Sequence, residues 1–129
     1  MKNSNLLISL AVGTVIWYLA ALFIRFGGGY FFGEQSERLI LLYILTPLTS
    51  LALLVAAKKL SSINMSTLYD SFVILAVTGA VLDGIAIRFF ANTIYVQPPG
   101  ILANAGAWLL WAVGTTIFLA YGFKAANKP

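Results

Sequence analysis

The chain has 129 residues, 60% of them hydrophobic and 9% charged, with a formal net charge of +4 and a mean hydropathy of +0.92. Soluble domains carry roughly 25% charged residues, so the solvent that suits this chain is lipid, and the length allows one domain. The charges stand at the ends of apolar runs, where they set orientation, so the positive balance is not a nucleic-acid signal. There is no Cys and no His, which removes disulfides, haem held by either residue, the usual zinc and copper sites, and catalysis by His or a Cys nucleophile. No metal and no cofactor is expected.

Lys2 precedes an apolar run from Leu6 to Ile24 that Arg25 closes. A secretory signal has a core of roughly 7–15 apolar residues, so this longer run is read as an uncleaved first span, about residues 6–25. Gly27, Gly28, Gly29 and Gly33 then read as helix breakers, with Tyr30, Phe31 and Phe32 in the headgroup layer. The glycines lack the Lys-Ser/Thr and the preceding strand of a phosphate loop. Ser36 and Glu37 resemble a helix N-terminus.

The second span, about 39–57, ends at Lys58-Lys59 and contains Thr46-Pro47-Leu48-Thr49-Ser50. Pro47 removes a backbone donor and is expected to kink the helix, and the hydroxyls beside it are expected to satisfy the freed carbonyl. Ser66 is the expected N-cap of the third span, about 69–90, with Asp70 in its first turn. Residues 92–100, including Pro98-Pro99-Gly100, read as a turn, and the fourth span, about 101–123, ends at Lys124 and Lys128. Each run has close to the ~20 residues that cross the hydrocarbon.

Four spans place Lys2, Lys58, Lys59, Lys124 and Lys128 on one side and Arg25, Arg38 and Arg88 on the other. The side richer in Lys and Arg is cytoplasmic, so both termini are expected inside. Ile24-Arg25-Phe26 repeats as Ile87-Arg88-Phe89, but the flanking residues barely agree, and so short a match does not argue for duplication.

The chemistry concentrates at one level. At ~1.5 Å per residue, Trp17 lies ~16 Å into the first span, Asp83 ~16 Å into the third, and Trp108 and Trp111 ~10 and ~15 Å into the fourth. Thr46 and Thr49 sit mid-way along the second. An acid at bilayer depth is costly and marks a functional site by default. Ala76, Ala80 and Gly84 make a small-residue stripe beside it, so Asp83 is expected to face the bundle. Arg88 stands ~140° away around the helix and is assigned with Arg25 to the outer rim, snorkelling to the interface. The donors expected for Asp83 are Trp17, Tyr18, Thr46, Thr49, Trp108 and Trp111. Either Asp83 is hydrogen-bonding glue between helices, or it binds a proton, cation or polar solute beside the indoles. One deep acid is a thin basis for an enzyme.

The segments Val81-Leu82-Asp83 to Phe89-Phe90, Pro98, and Gly106-Ala107-Trp108-Leu109-Leu110-Trp111 resemble a family of small bacterial four-span membrane proteins, a domain of unknown function. The resemblance implies four spans over nearly the whole chain and no particular activity.

The expected protein is an all-α, four-helix transmembrane bundle, up-down-up-down, with both termini cytoplasmic, in a bacterial inner membrane. The expected function is non-enzymatic: binding or moving a small solute or proton at the Asp83 layer. The alternative is an accessory subunit of a larger membrane complex. The expected partners are the lipid bilayer and a second copy or a larger complex, with no nucleic acid.

Overall fold

The computed structural model describes residues 2–33 and 36–127, apart from the side chain of Ser36. Glu34, Lys128 and any capping by the Ser36 side chain lie outside the described residues. Four long helices, α1 (Asn3–Phe31), α2 (Ser36–Leu60), α3 (Met65–Phe89) and α4 (Pro99–Ala126), account for most of the chain. All four are long and apolar enough to cross a membrane. Their outward faces carry large apolar side chains such as Leu7, Val15, Leu19, Leu48, Leu110 and Phe118, the surface that lipid requires and water does not.

The directions alternate. Gly13 of α1 lies against Leu75 and Thr78 of α3, and the far end of α1 meets Thr93 just beyond α3, so these two run parallel. Leu68 and Phe72 at the start of α3 cluster with Ala120 near the end of α4, so α4 runs back. Thr46 and Ser50 of α2 meet Trp108 and Thr116 of α4, so α2 parallels α4. Around the bundle the order is α1, α3, α4, α2, and the α2–α3 connection crosses the diagonal. The seam between α1 and α2 is the loosest of the four.

Several helix ends differ from the expectation. Helix α1 continues through Gly27–Gly29 to Phe31. Glycine costs only ~1 kcal/mol in a helix interior, and here it makes room. A Cβ on Gly28 would come within 2.7 Å of the Gln97 amide, whose Nε2 donates to the Ile24 and Arg25 carbonyls. The cap of α3 is Asn64, which accepts from Thr67 N at 2.8 Å, not Ser66, and Asp70 lies beyond the first turn. Between α3 and α4 the chain makes a π-helical turn, Ala91–Tyr95, before Pro99 takes the first turn of α4, where its missing N–H costs nothing.

Helix α2 runs unbroken past Pro47. Pro47 cannot donate to the carbonyl four residues back, that of Tyr43. The neighbouring hydroxyls do not fill the gap: Thr46 donates to Leu42 O and Thr49 to Leu45 O. The indole N–H of Trp111, on α4, donates to Tyr43 O at 2.9 Å, and its ring stacks on Tyr43 at 5.5 Å.

Two apolar cores close the ends of the bundle. One, at the end bearing the α3–α4 connection, joins Ala21, Ile24, Phe32, Ala86, Tyr95 and Ala105. The other, at the end of the chain termini, joins Leu54, Leu68, Phe72 and Ala120.

Candidate functional site

Between the two cores lies a cavity of about 670 Å³ lined by all four helices, within the ~300–1,000 Å³ of ordinary small-molecule sites. Its back wall is α3 and α4, whose Phe72, Ala76, Asp83 and Leu109 are buried. Its exposed lining residues, Val12, Ile16, Leu45, Thr49 and Leu53, all belong to α1 and α2. The cavity therefore opens sideways through the α1–α2 seam. Near the α3–α4 connection that seam is closed by Phe23, Phe31, Leu39 and Leu42 packing on the core. Along α3 the wall runs from Phe72 to Asp83, ~16 Å of helix.

Asp83 is 9% exposed. Its Oδ1 accepts a hydrogen bond of 3.2 Å from the hydroxyl of Tyr95. Tyr95 comes from the π-helical turn and is fully buried. Burial, and after it the Asp83 carboxylate, push the Tyr95 phenol well above its ordinary pKa, so it is a donor throughout the neutral range. Trp17 Nε1 sits beside both groups. It falls short of hydrogen-bond geometry with either, and is an enclosed N–H without a partner among the described residues.

The turn that delivers Tyr95 is fastened to α1. Arg25 donates from Nη1 to Thr93 O at 2.9 Å, and Gln97 reaches two α1 carbonyls. The turn ends at Val96 with φ 52°, a left-handed conformation that is a true outlier for a β-branched residue. Strain of this kind persists where surrounding contacts over-determine it.

Thr46, Thr49 and Trp108 line the cavity with Asp83 and Trp17. Trp108 donates to the Thr46 hydroxyl at 2.8 Å, leaving Asp83 to others. Deeper in, Ser50 and Thr116 bond each other at 2.8 Å. Two expected donors fall elsewhere. Tyr18 is 56% exposed on the outer surface of α1, because one residue along a helix is 100° of rotation from Trp17. Trp111 serves Tyr43 O outside the cavity. Arg25 and Arg88 are both exposed at the end bearing the α3–α4 connection, and the Arg88 guanidinium lies 5.3 Å from the Phe89 ring.

The depth of the layer also differs. Asp83 stands six residues before the end of α3, ~9 Å from it, so the Asp83–Tyr95–Trp17 cluster lies in the half of the bundle nearer the α3–α4 connection. Among the described residues no group of three Asp, Glu, His or Cys side chains is placed to hold a metal ion. Comparison with family models, with curated proteins and with solved structures finds no match.

Proposed function

We propose that this protein is a non-enzymatic integral membrane protein of a bacterial plasma membrane that binds a small solute in the lateral cavity, with Asp83 as the anchoring group. The observation that carries the reading is a buried carboxyl group on the wall of a cavity that opens to the bilayer. A group needed only for packing would be surrounded by side chains, whereas Asp83 faces open space on one side. Both termini lie in the cytoplasm in this proposal, because Lys2, Lys58, Lys59 and Lys124 gather at the terminal end of the bundle.

The competing reading makes Asp83 glue between spans in an accessory subunit. Against it, the hydrogen bond Asp83 accepts comes from the connection that follows its own helix, and Thr46 and Trp108 satisfy one another.

The test compares wild type with Asp83→Asn after purification in mild detergent. Mass spectrometry of the organic extract is expected to find a small molecule near one equivalent in wild type and a several-fold lower amount in the variant, with both proteins inserted and helical. A variant that only melts at lower temperature, with the same extract, would establish glue instead. Co-purification of a larger membrane protein would favour the subunit reading.

A further inference from the structure

Resting on that binding reading, we infer that the ligand is an organic ammonium with an apolar body, which donates an N–H to Asp83 Oδ2 and balances its charge.

The head group follows from the free oxygen of Asp83. Oδ1 accepts from Tyr95, and Oδ2 has no hydrogen-bond partner among the described residues. Nor is Oδ2 enclosed, since Trp17 Nε1 is the one described side-chain atom both enclosed and unpartnered. Asp83 stands on the cavity wall, so a bound molecule reaches Oδ2, whereas the enclosed indole N–H takes no part. Among the described residues no Lys or Arg lines the cavity. A buried carboxylate is costly unless it is paired and hydrogen-bonded. An ammonium does both, and the filled site then carries no net charge. At the same end Trp17, Phe23 and Trp108 line the cavity, and aromatic faces attract cations.

The other polar groups on the wall are mainly acceptors. Thr46 and Thr49 give their hydroxyl hydrogens to Leu42 O and Leu45 O, which leaves oxygen lone pairs for a ligand. Ser50 and Thr116 bond each other and keep one hydrogen between them. Such a wall favours a ligand that donates. A carboxylate or phosphate would meet a single hydroxyl donor and be repelled by Asp83. A neutral alcohol would reach Oδ2 but leave the carboxylate without a counter-charge. The rest of the lining is apolar, with Val12, Ile16, Leu53, Phe72 and Leu75, and so is the body of the ligand.

The test measures binding of three probes to the whole protein in detergent by equilibrium dialysis, with protein-free micelles as the blank. The probes are phenethylamine, phenethyl alcohol and trimethylphenethylammonium. At neutral pH the amine is expected to bind roughly ten- to hundredfold more tightly than the alcohol, the range of one hydrogen bond to a charged group. The trimethyl compound keeps the charge and loses every N–H donor, and is expected to bind several-fold more weakly than the amine. Asp83→Asn is expected to bring the amine down to the level of the alcohol. The probe comparison needs no variant and stands even where Asp83→Asn fails to fold. An alcohol that binds as tightly as the amine overturns the ammonium assignment and leaves binding in the cavity intact. A trimethyl compound that equals the amine overturns the N–H bond to Oδ2. Binding of none of the three overturns the ammonium assignment, while the extract of the purified wild-type protein still decides the binding reading.

Discussion

The Tyr95 hydroxyl donates to Asp83 across 3.2 Å, and this one bond ties the α3–α4 connection to the wall of the cavity. Tyr95→Phe keeps the buried ring and removes the donor. It is expected to lower stability by ~1 kcal/mol, against ~3–5 kcal/mol for Tyr95→Ala, which also empties the ring's site. Equal losses in thermal melts of the two variants would contradict a hydrogen-bonding role.

The same bond has an alkaline signature. The folded state raises the Tyr95 pKa, through burial first and the Asp83 carboxylate second. Its contribution is therefore fully present below the ordinary tyrosine pKa of ~10 and is lost as pH rises above that value. Melting temperature measured across the alkaline range is expected to fall more steeply for wild type than for Tyr95→Phe. Parallel curves would count against a buried phenol at this position.

Trp111 supplies the hydrogen that Pro47 withholds from Tyr43 O. Hydrogen bonds between membrane helices average ~0.6 kcal/mol and reach ~1.7, so Trp111→Phe is expected to cost that much. Pro47→Ala restores an N–H four residues after Tyr43. In that background Trp111→Phe is expected to cost close to nothing, and a double-mutant cycle reads the difference. Additive losses would show that the two sites are independent.

Close approach is confined to particular glycines. A Cβ on Gly13 would lie 3.0 Å from Leu75 O and 3.1 Å from Thr78 Cβ, whereas one on Gly84 meets nothing within 4 Å. Gly13→Ala is expected to destabilise by ~1–3 kcal/mol. Gly84→Ala is expected to be neutral or stabilising by up to ~1 kcal/mol. Denaturant titration in detergent separates them, and the reverse ranking would contradict the α1–α3 packing.

Much of the architecture was legible in the sequence because hydropathy and length decide it: no other structure buries four runs of this kind in lipid. Asp83 was legible as the deep acid for the same reason. Its partner was not. Tyr95 falls in a segment read as a turn, and only a π-helical turn followed by a left-handed Val96 swings it into the bundle. Pro47 names Tyr43 O as the carbonyl in need, four residues back, but its donor comes from α4, sixty-eight positions away. The glycines at 27–29 carried a misleading signal. The small size of Gly28 serves the approach of Gln97, and the helix tolerates all three.

The most direct test of the central claim acts on the cavity itself. Gly79 lines it, and a side chain there has open space before it. Gly79→Phe is therefore expected to fold while the amount of small molecule that co-purifies with it falls at least tenfold. A Gly79→Phe protein that folds and carries as much of that molecule as wild type would contradict binding in this cavity.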